Sequence, residues 1–99
     1  MADGTSADKQ KVVVQEVQIS NSLGLHARPA MQLVDVANRF SAEIEIAKAD
    51  QHVDAKSIMQ VMTLAATQGT KLKITACGED AAQAVAAMSK LIAEGFGEE

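Results

Sequence analysis

The stretch Leu23–Met31, LGLHARPAM, marks the point where the chain changes from one hydrophobic period to another. Before it, KVVVQEVQI (Lys11–Ile19) is rich in β-branched residues and puts Val13, Val17 and Ile19 on one face at period two, which predicts a strand. After it, apolar residues recur at helical spacing, which predicts a helix beginning at His26 or Ala27. The helical stripe consists of Ala30, Leu33, Val34 and Ala37.

The rest of the chain repeats this alternation of strands and helices. AEIEIA (42–47) and HVDA (52–55) predict a hairpin around the turn KADQ, and TKLKITA (70–76) predicts another strand. A helix is predicted over Ser57–Thr67, stopped by Gly69, and a last helix from Asp80 to Gly95 with Asp80 and Gln83 at the spacing of a capping box.

The predicted order is βαββαβα, which favours an α+β open-faced β-sandwich. In this fold a four-stranded antiparallel sheet carries three helices on one face. A chain of 99 residues suits one domain. Because residues 1–10 are small and polar, we expect a flexible N-terminal tail there and a single domain over 11–99.

Composition excludes several functional classes. The net charge of −4, without a lysine or arginine cluster, argues against a nucleic-acid partner. A single cysteine forms no intrachain disulfide, and no Cys/His cluster suggests a metal or another cofactor. No signal peptide or long apolar run is recognisable, so we expect a cytoplasmic protein without a membrane partner.

Chemically, the junction before the first predicted helix is the most informative feature. The first amides of a helix lack intrahelical partners, and with the helix dipole they favour an anion such as phosphate. The same field disfavours the imidazolium form of His26, which leaves a nucleophilic nitrogen. Arg28 supplies a fixed cation, and Pro29 stiffens the first turn without losing a useful donor. The alternatives for His26 are a helix cap and a solvated surface group.

LGLHARPA (23–30) resembles the active-site signature of the HPr family, the histidine-containing phosphocarriers of the phosphoenolpyruvate-dependent sugar phosphotransferase system. KSIMQVMTLAATQG (56–69) resembles the second signature of that family at the matching separation, and the resemblance runs from about Val12 to Phe96. It implies a cytoplasmic, stoichiometric phosphoryl relay in sugar transport. The final GFGEE (95–99) is similar to the nitrogen-related, regulatory branch of the family.

The resemblance also implies roles for individual residues. His26 matches the histidine that is phosphorylated on Nδ1 by Enzyme I and dephosphorylated by an Enzyme IIA domain. Arg28 matches the arginine that steadies the phosphoryl group, with Ala27 and Pro29 as supporting residues. Ser57 matches the serine that an HPr kinase/phosphorylase modifies in some bacteria. No cofactor or metal is implied, and sequential docking to two partners suits a monomer.

Other interpretations of the second motif remain open at this point. Ser57 is also a good N-cap. Ile58, Met59 and Met62 are implied to form a partner interface, whereas a core stripe would use Ile58, Val61, Met62 and Ala65 and leave Met59 as a surface methionine.

An alternative function is a regulatory binding module, in which Ser57-phosphorylated protein acts as a corepressor for a transcriptional regulator. A third possibility is a scaffold without phosphoryl transfer. His52 is expected to be a surface residue, Cys77 a structural or incidental thiol, and the acidic pairs Glu43/Glu45 and Glu98/Glu99 a solvated face and a tail.

Overall fold

A computed structural model of the chain describes residues 11–98. The expected tail over 1–10 and the last residue, Glu99, lie outside these described residues. The regular elements follow in chain order. They are β1 (Val12–Gln18), α1 (Ala27–Ala37), β2 (Glu43–Lys48), β3 (Gln51–Asp54), α2 (Ile58–Met62), β4 (Lys71–Cys77) and α3 (Ala81–Ala93), followed by a 3-10 turn (Gly95–Gly97).

The four strands form one antiparallel sheet in the order β1-β4-β2-β3. Alternation decides which face each side chain takes, so Ile44 and Ile46 of β2 are buried while Glu43 and Glu45 are exposed. β4 repeats the pattern with Leu72, Ile74 and Ala76 inside. The predicted α+β fold and its βαββαβα order are confirmed.

One continuous core lies between the sheet and the helices. The buried side of α1 presents Ala30, Leu33 and Ala37, and α3 contributes Met88 and Ile92. All five side chains join the same cluster as the inner face of the sheet. None of the helices within residues 11–98 is long and apolar enough to cross a bilayer.

The second helix is much shorter than predicted. The expected helix over Ser57–Thr67 is wrong beyond its first turns, because α2 ends at Met62. Ala65, expected in the buried stripe, is exposed and has a φ of 47°. Leu64 is fully buried instead, and Gly69 lies in the turn before β4 and does not stop the helix.

The start of the last helix also differs from the expected capping box. Asp80 occupies the N-cap position, but its side chain makes no capping hydrogen bond. Its carboxylate accepts from the backbone N–H groups of Ser41 and Ala42 and from the Ser41 hydroxyl. The bond from the Ser41 N–H is the main cause that lowers the pKa of Asp80. Asp80 therefore ties the loop before β2 to the start of α3.

Candidate functional site

His26 lies at the N-cap of α1, as the sequence predicts. Its backbone is extended (φ −82°, ψ −171°), and its carbonyl accepts the N–H of Ala30 at 3.0 Å, closing the first helical turn. The His26 side chain makes no capping hydrogen bond and is 37% exposed. The cap interpretation therefore describes the backbone of His26, while its imidazole is available for other contacts.

The loop before His26 is held tightly against the segment that follows α2. Leu25 is buried, and its N–H donates to the carbonyl of Ala66 at 2.8 Å. Gly24 has a φ of +70°, and a Cβ at this position would lie 2.6 Å from the same carbonyl oxygen. Only glycine allows this close approach. The backbone that carries the imidazole is therefore fixed by contacts from elsewhere in the fold.

The first turn of α1 leaves its amides without a side-chain cap. Pro29 is buried at the third helical position and has no N–H to satisfy. Ala27 and Arg28, which precede it, are exposed. Donors at the start of a helix attract anions. The expected combination of imidazole, open helix start and guanidinium is therefore present on one surface.

A carboxylate that the sequence did not reveal completes this surface. Glu98 lies with its side chain only 13% exposed, and its two oxygens are 3.0 and 3.1 Å from His26 Nε2. Arg28 Nη1 donates to Glu98 at 2.9 Å, and the buried Asn21 donates from Nδ2 at 3.0 Å. The interpretation of Glu98 as a solvated tail is wrong.

The hydrogen bond from His26 is the main cause that holds the pKa of Glu98 below its ordinary value of 4.5. Partial burial of the carboxylate raises it, and the bond from Asn21 and the charges of His26 and Arg28 lower it further. Glu98 is thus ionised at neutral pH. Its negative charge lies beside the imidazole and is opposite in sign to the partial positive charge at the start of α1.

Ser57 is the N-cap of α2, as one of its two interpretations predicts. Its Oγ accepts the N–H of Gln60 at 3.2 Å. The residue is half-buried. Next to it, Lys56 donates from Nζ to the carbonyl of Phe40 at 2.7 Å. The hydroxyl is thus used structurally but stays within reach of solvent.

The surface of α2 beyond Ser57 exposes methionine side chains. Met59 is 77% and Met62 41% exposed, whereas Ile58 packs half-buried against the core. A core stripe that includes Met62 is therefore wrong. Leu23 and Met31, on either side of His26, are also exposed apolar residues and were not predicted. We call this surface the apolar rim. It consists of Leu23 on the His26 loop, Met31 on α1, and Ile58, Met59 and Met62 on α2.

The remaining singled-out residues belong to the sheet and not to this site. His52 is exposed on β3 as predicted, and its Nδ1 lies 3.0 Å from Glu45 Oε1. Cys77 is half-buried at the end of β4. His52 pairs with Ala47 of β2, and Cys77 pairs with Val12 of β1 and Glu43 of β2.

The model of one protein family, described as "PTS HPr component phosphorylation site", matches residues 13–94. The chain belongs to the HPr family. The match covers both quoted motifs and every regular element except the first residue of β1 and the final turn. HPr proteins are phosphocarriers of the phosphotransferase system.

Individual relatives agree with the family match. Phosphocarrier protein HPr of Neisseria meningitidis serogroup A is 42% identical over 84 residues, which cover 85% of this chain and 94% of the relative. The chain is 39% identical to the multiphosphoryl transfer protein of Haemophilus influenzae over 96% of its own length, but spans only 21% of that protein. The crystal structure of HPr-C-His from Thermoanaerobacter tengcongensis superposes with a TM-score of 0.85 at 42% identity, covering 88% of this chain and 98% of that one.

Proposed function

We propose that this HPr protein is a stoichiometric phosphoryl carrier, phosphorylated on His26 by phospho-Enzyme I and dephosphorylated by an Enzyme IIA domain. The observation that carries the proposal is the partly exposed imidazole at the open start of α1, with Arg28 two residues away. Both partners belong to the cytoplasmic side of the phosphotransferase system, so we expect the relay to act there. Because it docks to the two partners one after the other, we expect it to act as a monomer.

The transfer itself needs one free nitrogen lone pair. Nε2 of His26 is engaged with Glu98, so Nδ1 is the nitrogen that remains for phosphorus. As the Nδ1–P bond forms, the N–P bond of the donor phosphohistidine breaks and its imidazole keeps the electron pair. The incoming group carries about −1.5 to −2 charge, by analogy with other phosphorylated side chains. The Arg28 guanidinium and the amides at the start of α1 would stabilise that charge, and Ala27 and Pro29 support this first turn.

The apolar rim supports docking of both partners on the same surface. Flexible methionine side chains adapt to differently shaped partners. Met59 and Met62, together with Ile58, would meet Enzyme I before transfer and Enzyme IIA after it. Leu23 and Met31 extend this surface on both sides of His26.

Labelling with radioactive phosphoenolpyruvate and Enzyme I tests the relay. We expect label that is acid-labile and base-stable, and none in His26→Ala. His52→Ala is the matched control, because His52 is the chain's other histidine and lies on β3. Equal labelling of wild type and His26→Ala would refute the acceptor assignment.

A regulatory role for Ser57 is a second candidate, favoured by the half-buried hydroxyl that begins the helix carrying Met59 and Met62. A phosphate there would meet the helix amides and would add negative charge beside the docking surface. Such a form would act as a corepressor for a transcriptional regulator.

Incubation with HPr kinase/phosphorylase and ATP tests this role, with Ser57→Ala as the variant. Label confined to Ser57 and tighter binding of the regulator are expected. Absence of label on Ser57 would remove this second role and leave the His26 relay untouched.

A further inference from the structure

The end of the described chain folds back onto His26 through an unusual turn. Gly95, Phe96 and Gly97 all have positive φ, of 65°, 58° and 76°. Phe96 is the only one of the three with a Cβ, and left-handed backbone is unfavourable for such a residue. Its ring is buried in the core with 2% exposure, which holds the turn in place. The turn delivers Glu98, whose N–H donates to the carbonyl of Gly95 at 2.9 Å.

The carboxylate delivered by this turn meets donors from three residues. One oxygen accepts from Asn21 Nδ2 and faces His26 Nε2, and the other faces Nε2 and Arg28 Nη1. Asn21 is itself fixed, because it is 1% exposed and its Nδ2 also donates to the carbonyl of Gly24 at 2.8 Å. The carboxylate therefore has a defined position relative to the imidazole.

We propose that Glu98 is a positioning residue for phosphoryl transfer, which holds the Nε2–H of His26 and turns the Nδ1 lone pair toward the phosphoryl donor. This inference rests on the proposed function of His26 as the acceptor. A hydrogen bond to one ring nitrogen decides which tautomer the imidazole adopts and how the ring is oriented.

The charge balance of the step explains why a carboxylate is useful there. When Nδ1 shares its electron pair with phosphorus, positive charge develops on the ring and its Nε2–H becomes a stronger donor. Glu98 stabilises this charge without accepting the proton, the role that a buried aspartate has beside the histidine of a hydrolase triad. When the phosphoryl group leaves, the N–P electron pair returns to Nδ1 and the ring is neutral again.

The contact between Glu98 and His26 can be tested without any phosphoryl donor, by ¹⁵N NMR of the His26 ring at a pH where the ring is neutral. We expect the wild type to show hydrogen on Nε2 and a lone pair on Nδ1. In Glu98→Ala the two tautomers should mix. Glu94→Ala is the matched control, because Glu94 lies four residues earlier and is exposed at the end of α3. A Glu98→Ala ring spectrum identical to that of wild type would overturn the proposal.

The kinetic consequence is measured by phosphorylation with phosphoenolpyruvate and Enzyme I. Loss of a hydrogen bond to a charged group should lower the rate at saturating Enzyme I about tenfold in Glu98→Ala. The concentration of Enzyme I that gives half-maximal rate should stay the same, because the apolar rim is intact. Glu98→Gln, which keeps a hydrogen-bond acceptor but not the charge, should give a rate between those of wild type and Glu98→Ala. Glu94→Ala should match wild type.

The outcomes separate this inference from the carrier function. A Glu98→Ala rate equal to or above that of wild type would overturn the positioning role, and an increase would mean that the carboxylate repels the incoming phosphoryl group. Absence of label on wild-type His26 would refute the carrier function, and the ring spectra would still decide whether Glu98 sets the tautomer.

Discussion

Gly24→Ala is the substitution for which the structure gives the sharpest energetic expectation. The new Cβ would lie 2.6 Å from the Ala66 carbonyl oxygen and 2.9 Å from the Cα of Thr67. Both are backbone atoms, so no side chain can rotate away. To restore ordinary contact of about 3.4 Å, the His26 loop and the Ala66–Thr67 segment must separate. The hydrogen bond from Leu25 to Ala66 would then lengthen or break.

Two contributions make up the expected loss. A residue with a Cβ at positive φ costs about 1–2 kcal/mol, and loss of the Leu25–Ala66 bond costs about 1 kcal/mol. Displacement of the loop adds to both, so we expect a decrease of about 2–4 kcal/mol in the free energy of unfolding. Small domains have about 5–15 kcal/mol in total. Urea unfolding followed by circular dichroism measures the change.

Gly69→Ala separates strain from collision. Gly69 also has a positive φ, of +90°, but apart from its own atoms and those of its two chain neighbours, no described atom lies within 4 Å of the place that an added Cβ would occupy. It should therefore lose only the backbone contribution of about 1–2 kcal/mol. Equal losses for the two variants would refute the claim that the His26 loop is held by close backbone contact.

Three further outcomes follow from the structure. Asp80→Asn should lower Tm at neutral pH. Because the pKa of Asp80 is lowered in the folded state, this difference should be present above its ordinary value of 3.8 and vanish as the pH falls through the lowered value. Phe96→Ala should cost about 3–5 kcal/mol in urea unfolding, because the buried ring is removed. Met59→Ala should change the free energy of unfolding by less than about 0.5 kcal/mol, whereas Leu64→Ala should lower it by about 2–5 kcal/mol. Calorimetry should show that Met59→Ala, although it keeps its stability, binds Enzyme I more weakly than wild type.

The strands and the helices α1 and α3 could be predicted because the spacing of their apolar residues is a local property of each segment. Ile44 and Ile46 alternate with glutamates, and the apolar stripe of α1 repeats at helical spacing. The pattern within each segment therefore predicts which of its faces is buried. Ser57 illustrates the same point for a cap, since its side chain bonds an amide only three residues away.

The end of α2 could not be predicted because distant residues determine it. Lys48 donates from Nζ to the carbonyl of Leu64 at 2.7 Å, and Gln51 donates from Nε2 to the carbonyl of Thr63 at 3.2 Å. The hairpin thus satisfies carbonyls that a longer helix would have paired internally. The left-handed Ala65 has no sequence signal, because alanine favours helix.

Glu98 was missed for a related reason. It is separated from His26 by 72 positions, and an acidic residue near a chain end usually indicates solvated structure. The only local signal was the pair of glycines around Phe96, which permits a sharp turn but does not say where it leads. In the same way, the role of the Asp80 carboxylate could not be predicted, because it accepts hydrogen bonds from a loop 38 to 39 positions away instead of capping its own helix.

The return of the chain to His26 has a practical consequence for fusion proteins. A reporter or purification sequence that replaces residues 95–98 would remove the carboxylate that contacts the imidazole and Arg28. A phosphorylation assay built on such a fusion would then measure the loss of this contact together with the activity of the carrier.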